Sequence, residues 1–254
     1  MSKNAVITGA ASGIGLDAAR DLIEQGWTVY GLDAAEDGLA AAAAELGPER
    51  FRQFRCDIRS AEAVRETMAA VGAEAGRIDA LICCAGVLRL GPLTQMSVED
   101  FDLIFSVNTR GLWLSAREAM PWLKKAAAKN GTARVIFLSS VAALRPKVDS
   151  GAYAASKAAV SHLTRVLAVE CAADGILVNA LAPGTVDTPM IRSHADPSKQ
   201  GAWRPSGPSP LGRVAEPRDV VRVMRFLLGD DAAYVTGATI PVDGGTQAAF
   251  VSPR

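Results

Sequence analysis

Aromatic side chains, histidines and cysteines are all scarce in this chain of 254 residues. Only 6% of the residues are aromatic, and there are 2 histidines and 4 cysteines. Neither His162 nor His194 has the closely spaced His, Cys or Asp neighbours that a metal ion needs, so the sequence predicts no metal site. The cysteines form no spaced framework, and we expect reduced, buried thiols rather than disulfides.

An excess of charge of either sign is also absent, since 27 Lys and Arg residues balance 27 Asp and Glu residues. No overall field therefore favours nucleic acid or an anionic membrane as a partner. The longest apolar run, near residues 80–88, is too short to span a bilayer, and the first strand begins too early to leave room for a signal peptide. We therefore expect a cytoplasmic protein.

The chain does have a regular alternation of strand-like and helix-like segments. Its hydrophobic content of 49% suffices for one sizeable core, and nothing in it resembles a linker, so we predict a single domain over residues 1–254. Helical patterns or long loops fill the gaps between the strands, which predicts an α/β fold: a Rossmann-type doubly wound parallel sheet of about seven strands with helices on both faces. The predicted strands lie at residues 4–8, 28–32, 51–56, 80–84, 134–139, 176–181 and 238–242.

A glycine-rich turn follows the first predicted strand and opens a helix. Gly9, Gly13 and Gly15 mark this turn, and apolar residues then recur at helical spacing from Ile14 to Ile23. Glycines let the backbone bend sharply and let a pyrophosphate approach the amides at the helix N-terminus, where the helix dipole favours negative charge. By itself, such a turn is a weak signal of a dinucleotide site.

Asp33 ends the second predicted strand, about twenty residues beyond the glycine turn. A carboxylate at that spacing accepts hydrogen bonds from ribose hydroxyls and repels a ribose phosphate. Neither Ser12 nor Ala34 supplies the basic side chain that such a phosphate needs. The sequence therefore predicts NAD rather than NADP. The alternative, an ordinary turn residue at a strand end, does not account for the distance from the glycine turn.

Tyr153 and Lys157 lie four residues apart in a run of good helix formers, so both side chains project from one helix face. A free phenol has a pKa near ~10, and a nearby ammonium favours its ionised form. Such a pair can act as a base near neutral pH, with Ser140 holding the oxygen of the substrate. An isolated pair of this kind more often packs in a helix interface, and the accompanying motifs are what favour catalysis here.

Taken in order, these segments resemble the short-chain dehydrogenase/reductase family over nearly the whole chain. Ser140, Tyr153 and Lys157 keep the family's spacings, and Asn108 matches its catalytic asparagine. The segments 56–58, 183–188, 212–213 and 242–245 also match. The resemblance implies that the cofactor contacts Gly9, Ser12, Gly13, Ile14, Gly15, Asp33, Asp57, Ile58, Ala85, Gly86, Tyr153, Lys157, Pro183, Gly184, Val186 and Thr188.

The same resemblance implies hydride transfer between a carbinol carbon and the nicotinamide ring. Tyr153 is then the acid/base, Lys157 lowers the pKa of Tyr153 and binds the nicotinamide ribose, and Asn108 helps to hold a relay water. One departure from the family is Cys83-Cys84, which stands where two asparagines usually tie neighbouring strands together. Their absence puts that local hydrogen bonding in question.

Three cationic residues are candidates for binding the substrate. Arg89, Arg145 and Lys147 lie in loops at the carboxyl ends of predicted strands, where we expect them to bind the substrate together with Ser140 and Tyr153. A guanidinium pairs well with a carboxylate, which predicts a small anionic cyclic substrate, whereas each cation taken singly is more often a solvated surface charge. The loop over residues 190–212 is long and polar, and we predict that it forms a lid.

A narrower resemblance concerns residues 84–97, 140–153 and 184–190, which are similar to the 2,3-dihydro-2,3-dihydroxybenzoate dehydrogenases of siderophore synthesis. It implies oxidation of a ring alcohol to an aromatic product. A 2,3-dihydro-3-hydroxyanthranilate-type substrate fits much the same site. Three alternatives stay open: a 3-oxoacyl-carrier-protein reductase, a dehydrogenase of a neutral polyol or steroid-type alcohol, and a non-catalytic dinucleotide sensor. The first would favour NADPH and a basic docking surface, and the last has no need of a proton relay.

The family resemblance also implies a homotetramer, assembled through the helices around Asn108 and Tyr153 and through the C-terminal strand. The apolar tail at Ala248, Ala249, Phe250 and Val251 fits burial in such an interface, and it fits equally well with packing inside its own subunit.

Overall fold

The computed structural model describes residues 2–194 and 208–249. Within these ranges seven parallel strands form one sheet in the order β3-β2-β1-β4-β5-β6-β7. The predicted Rossmann-type sheet is therefore confirmed. The strands are β1 (Asn4–Thr8), β2 (Thr28–Asp33), β3 (Phe51–Arg55), β4 (Ala80–Cys83), β5 (Ala133–Leu138), β6 (Ile176–Pro183) and β7 (Thr239–Val242).

Helices connect the strands and cover both faces of the sheet. The α-helices are α1 (Gly13–Glu24), α2 (Glu36–Leu46), α3 (Ala61–Ala75), α4 (Val98–Phe105), α5 (Leu112–Asn130), α6 (Gly151–Cys171), α7 (Pro189–Arg192) and α8 (Pro217–Leu228). A π-helical segment, Ser106–Gly111, joins α4 to α5 without a break. Ser60 and Ser97 cap the N-termini of α3 and α4. Each Oγ accepts from the backbone amide three residues later, at 3.2 and 3.1 Å.

The core has two halves because successive side chains of each strand point to opposite faces of the sheet. Val6 and Phe137 pack with helices α3, α5 and α6, whereas their neighbours Ile7 and Ile136 pack with α1, α2 and α8. The central strands are consequently buried on both faces, and all residues of β1, β4 and β5 are buried. This explains why those strands are continuous apolar runs rather than alternating patterns.

The position of the site follows from the strand order. β1 pairs with β2 on one side and with β4 on the other, so the direction of winding reverses between β1 and β4. Ligands of such sheets bind at the carboxyl ends of the strands beside that reversal. The glycine turn after β1 and the Cys84-Ala85-Gly86 segment after β4 meet there.

Several predictions concern segments that the structure covers only in part. Of the predicted lid at 190–212, residues 195–207 lie outside the described residues, as do Phe250 and Val251 of the predicted interface tail. The described start of the lid is helical, because α7 begins at Pro189 and Arg192 is held to Asp187 at 2.6 Å. Among the described helices, none has the length and apolar character needed to cross a membrane.

Candidate active site

A cavity of about 420 Å³ opens at the carboxyl ends of the strands, beside the reversal between β1 and β4. Every residue that the sequence analysis assigned to the cofactor lines this cavity, from Gly9 in the first turn to Thr188 after β6. Ser140 lies in the same lining. The chain thus brings residues from more than half of its length to one place.

The glycine turn is built for close backbone approach. Gly9 has a φ of 72°, and a Cβ placed on it would lie 2.6 Å from the amide nitrogen of Ala85. A Cβ on Gly15 would overlap the carbonyl oxygen of Gly9. Helix α1 then begins at Gly13 with no side-chain cap from Ser12 and no acidic residue in its first turn. Its positive end is therefore left for an anion such as a pyrophosphate.

Asp33 is fixed in place at the end of β2. Its Oδ2 accepts from the amide of Ala11 at 3.1 Å, and its Oδ1 accepts from the amide of Ala35 at 3.0 Å. Each oxygen keeps further acceptor capacity toward the cavity, since a carboxylate has about four lone-pair positions. The carboxylate can therefore receive ribose hydroxyls without leaving its backbone partners.

Asp57, predicted to contact the cofactor, forms an ion pair with a neighbour, Arg59, that the sequence did not single out. The Arg59 guanidinium donates to both oxygens of Asp57, at 2.9 to 3.0 Å from Nε and 2.6 Å from Nη2. This ion pair lowers the pKa of Asp57 below its ordinary value. Arg59 also lines the cavity, and its place two residues after Asp57 was the signal that would have found it.

Hydrogen bonds still connect the end of β1 to the end of β4, although Cys83-Cys84 replaces the two usual asparagines. Thr8 accepts these hydrogen bonds. The amide of Cys84 donates to the carbonyl oxygen of Thr8 at 3.0 Å, and the amide of Ala85 donates to the Thr8 hydroxyl at 3.4 Å. Burial raises the pKa of the Cys84 thiol to about 12, so it stays protonated at neutral pH. The described cysteines are all free, and three of them are buried whereas Cys84 is half-buried.

Ser140, Tyr153 and Lys157 are brought together where β5 ends and α6 begins. Ser140 stands in extended backbone, and its Oγ accepts from the amide of Ala142 at 3.1 Å. The Ser140 hydroxyl lies near enough to the Tyr153 phenol to lower the pKa of that phenol, and both line the cavity. Lys157, one turn further along α6, is 4% exposed, and its Nζ lies 5.8 Å from the centre of the Tyr153 ring.

Burial raises the pKa of Tyr153, and the Ser140 side chain acts against that rise. That Lys157 lowers this pKa stays a prediction. In the structure, Nζ of Lys157 donates to the carbonyl oxygen of Leu138, at 2.7 Å. Burial also lowers the pKa of Lys157 to about 8, because desolvation disfavours the ammonium.

Asn108 lies in the π-helical segment and is wholly buried. Its amide oxygen accepts from the amide of Val87 at 2.8 Å, and its Nδ2 donates to the Val87 carbonyl at 3.0 Å and to Ser156 Oγ at 3.1 Å. The side chain is thus occupied by the protein itself. Both amide hydrogens have protein acceptors, whereas Oδ1 keeps one acceptor position. That Asn108 helps to hold a relay water stays a prediction.

The three cations predicted at the substrate end are not part of the cavity lining. Arg89 pairs with Asp100 at 3.2 Å and donates to the Leu88 carbonyl. Arg145 donates to the carbonyl oxygen of Thr246 at 2.9 Å. Lys147 is half-buried, and desolvation lowers its pKa to about 8. The described structure does not bring these three side chains onto one anion.

The lining beyond Ser140 and Tyr153 is apolar instead. Val87, Met190 and Ile191 face the cavity there, although no prediction named them. Val87 directly follows the predicted Gly86, and Met190 follows Thr188 by two residues. Their nearness to predicted positions was the signal available in the sequence.

Comparison with known proteins agrees with this geometry. A family model described as Enoyl-(Acyl carrier protein) reductase matches residues 9–247. The chain is 37% identical over 248 residues to cis-4-hydroxycyclohexanecarboxylate dehydrogenase of Sinomonas cyclohexanicum, covering 96% of each chain. It is 34% identical over 245 residues to a 3-oxoacyl-(acyl-carrier-protein) reductase of Thermotoga maritima, covering 96% of this chain and 97% of that one.

A similar solved structure is the 3-ketoacyl-(acyl-carrier-protein) reductase of Brucella melitensis complexed with NADH. It has 30% identity and a TM-score of 0.88, with 96% of this chain and 98% of that chain covered. The chain belongs to the short-chain dehydrogenase/reductase family. The predictions of an oxidoreductase and of a nicotinamide cofactor are thereby confirmed.

Proposed function

We propose that the protein oxidises a secondary ring alcohol to the corresponding ketone, with NAD as the oxidant. The observation that supports this most directly is the placement of Ser140, Tyr153 and Lys157 in the same cavity as the glycine turn and Asp33. A bound nicotinamide ring supplies a hydride acceptor and, in its oxidised form, a positive charge.

The chain's own residues supply the proton chemistry. Ser140 and Tyr153 line the same cavity and interact, so a substrate hydroxyl that contacts both side chains is oriented between them. Tyr153 Oη then takes the hydroxyl proton as the carbinol carbon loses its hydride. Because burial raises the pKa of Tyr153, this step depends on positive charge close to the phenol. Lys157 is one such charge below pH about 8.

Asp33 is the basis for proposing NAD rather than NADP. Its carboxylate is held by two backbone amides at the cavity rim, so it cannot easily turn away from a ribose phosphate. A fixed negative charge facing a phosphate costs several kcal/mol, on the order of the penalty for like charges in an interface.

For the substrate we propose a carboxylated ring alcohol, with 2,3-dihydro-2,3-dihydroxybenzoate or its 3-hydroxyanthranilate-type analogue as the first compounds to test. The apolar lining at Val87, Met190 and Ile191 suits the body of a ring. A relative named for a hydroxylated cyclohexanecarboxylate supports both the ring and the carboxylate. Arg89 can reach such a carboxylate only by leaving Asp100, an exposed ion pair worth about 0 to 1 kcal/mol.

The test is reduction of NAD and of NADP by the purified protein with each of these acids, with cis-4-hydroxycyclohexanecarboxylate and with cyclohexanol. Rapid turnover with NAD of a ring acid, and a KM that rises about 10-fold in Arg89→Ala, would support the carboxylate proposal. Equal turnover of cyclohexanol by wild type and Arg89→Ala would serve as the internal control. Turnover of cyclohexanol with no preference for the acids would overturn the carboxylate proposal.

A neutral ring alcohol is the second candidate, and a specific observation favours it. Arg145 is bonded to a main-chain oxygen and Arg89 to a carboxylate, which leaves Lys157 as the only cation of the described lining near Tyr153. Reduction of a 3-oxoacyl group is a third candidate, supported by the names of two relatives. Asp33 does not separate this candidate from the ring alcohols, because the similar reductase structure is complexed with NADH.

We also propose a cytoplasmic homotetramer. Exposed apolar side chains on the middle helices, Trp113 of α5 with Val166 and Val169 of α6, are 38%, 39% and 80% exposed and suit a contact between copies. Four free cysteines suit a reducing compartment. Sedimentation at micromolar concentration that gives only monomer would overturn the tetramer.

A further inference from the structure

The side chain of Asn108 donates both of its amide hydrogens to protein partners. One Nδ2 hydrogen goes to the carbonyl of Val87 at 3.0 Å and the other to Ser156 Oγ at 3.1 Å, while Oδ1 accepts from the Val87 amide at 2.8 Å. Val87 makes two of these three hydrogen bonds. Ser156 accepts the third, so that no amide hydrogen of Asn108 is without an acceptor.

Ser156 lies in α6, between the tyrosine and the lysine of the triad, and it is wholly buried. Its Oγ donates to the carbonyl oxygen of Tyr153 at 2.7 Å, and its lone pairs receive Asn108. Its own carbonyl accepts from the Thr109 hydroxyl at 3.2 Å. Ser156 is thus the point where the turn of α6 that carries Tyr153 is bonded to the π-helical segment.

The loop that follows β4 depends on the same contacts. Gly86 lines the cavity directly before Val87, and a Cβ on Gly86 would lie 3.3 Å from Asn108 Oδ1 and 3.6 Å from Lys157 Nζ. A small rotation of the Asn108 amide would therefore change both the Val87 backbone and the wall of the cavity beside Lys157.

We propose that Ser156 is a positioning residue for the reaction, which holds Asn108 and, through it, the Val87 backbone in register with Tyr153. This inference rests on the proposed function, because it assigns Ser156 a part in that chemistry. The physical reason is that loss of the Ser156 hydroxyl leaves one amide hydrogen of Asn108 in a dry interior with no acceptor. The amide then turns, and its bonds to Val87 weaken.

The first measurement is hydrogen exchange on the purified protein, and it needs no substrate. In Ser156→Ala we expect the Val87 amide to exchange about 10-fold faster, since its acceptor is no longer held. Thr164→Val is the matched control, because Thr164 is also a buried hydroxyl of α6 and bonds only to Val160 within the helix. Unchanged exchange at Val87 in Ser156→Ala, relative to that control, would overturn the proposal.

The second measurement is kinetic, with the best substrate of the ring-alcohol panel. Ser156→Ala should lower kcat about 10-fold and leave both KM for the alcohol and the Kd for NADH within about 2-fold, because Ser156 does not line the cavity. A purely structural role would lower Tm in both α6 variants and leave kcat equal in both. That outcome would refute a part in the reaction.

A double variant separates action through Asn108 from action on Tyr153 alone. If Ser156 acts through Asn108, Ser156→Ala should cost nothing further in kcat when it is added to Asn108→Ala. Additive losses would contradict the proposal. Ser156→Thr, which keeps the hydroxyl, should restore most of kcat, and Ser156→Cys serves if the alanine variant does not fold. If no alcohol is turned over, the proposed function fails while the exchange result still decides the bonding role of Ser156.

Discussion

The two ends of the cavity were built in different ways. At the predicted cofactor end, the glycine turn and two carboxylates, Asp33 and Asp57, lie in the turns that directly follow β1, β2 and β3. At the substrate end, the lining comes from side chains in longer loops after β4, β5 and β6. The comparison shows why a cofactor can be predicted from local sequence and a substrate cannot. A turn next to a strand has few conformations, whereas the direction of a side chain in a long loop depends on what packs against it.

The sharpest way to test this division is to remove the one group on which all proposed chemistry at the substrate end depends. Tyr153→Phe should lower kcat about 1,000-fold or more because the variant has no proton acceptor. Its Kd for NADH should stay within about 3-fold, since the glycine turn is untouched. Stopped-flow turnover and NADH fluorescence measure the two effects. Tyr30→Phe, which alters a buried core tyrosine, should leave both unchanged, and substantial activity in Tyr153→Phe would sink the assignment.

The converse test damages the cofactor end alone. In Gly15→Ala, the new Cβ would overlap the carbonyl oxygen of Gly9, so the turn must open. We expect the Kd for NADH to rise about 100-fold, as amides that receive the pyrophosphate are displaced. Gly26→Ala is the control, because that glycine has a φ of 85° with nothing within 4 Å of an added Cβ. It should lower stability by about 1 kcal/mol and leave NADH binding intact. Equal binding losses in the two variants would show that the turn acts through stability only.

A smaller effect is expected at the rim of the same end. Asp33→Asn should raise the ratio of kcat/KM for NADP to that for NAD about 10- to 100-fold, because the repulsion of the ribose phosphate is removed. Steady-state kinetics with both cofactors give the ratio. Asp37→Asn removes an exposed carboxylate from the first turn of α2 and should not move it. A ratio unchanged in Asp33→Asn would mean that another group selects the cofactor.

The smallest effect concerns stability and lies where the two ends meet, at Lys157. Burial lowers its pKa to about 8 from 10.5, so between these values the unfolded chain binds more protons than the folded protein. The free energy of unfolding should therefore rise with pH over that window, by about 2 kcal/mol between pH 8 and pH 10, and gain nothing from this group below it. Urea denaturation across that range should show a rise that is about 2 kcal/mol smaller in Lys157→Met than in wild type. Lys147, whose pKa burial also lowers to about 8, contributes equally to both proteins.

The exposed lysine variant Lys125→Met provides the reference for that experiment, because it should keep the wild-type slope. Parallel curves for wild type and Lys157→Met would mean that the buried ammonium is not the group that titrates. Titration of tyrosines adds curvature above pH about 10, so the difference between the two proteins is the quantity to compare.

Particular residues show how far the sequence alone could lead. Gly9, Gly13, Gly15 and Asp33 were predicted from the spacing of one strand, one turn and the next strand, and all of them line the cavity. Asp57 was also predicted and also lines the cavity. The ion pair of its carboxylate with Arg59, two residues further along the chain, was not predicted.

Predictions failed or stayed open where distance along the chain was large. Arg89 and Arg145 were predicted to bind one substrate because both follow strands. In the structure, Arg89 forms an ion pair with Asp100, and Arg145 donates to the carbonyl oxygen of Thr246. The tie between β1 and β4, in question because of Cys83-Cys84, is made by Thr8, which lies about 75 residues earlier in the chain.

The amino-acid sequence by itself therefore determined the layered sheet, the glycine turn and the spacing that brings Ser140, Tyr153 and Lys157 into one cavity. These depend on periodicity, on glycine and on fixed helical spacing, which act over a few residues. Only the tertiary structure decided that Lys157 bonds to Leu138, that Asn108 is held by Ser156, and that Arg89 and Arg145 bond to groups outside the cavity lining. Each of those outcomes follows from burial and from competition among hydrogen-bonding partners, and both depend on segments that meet only when the chain is folded.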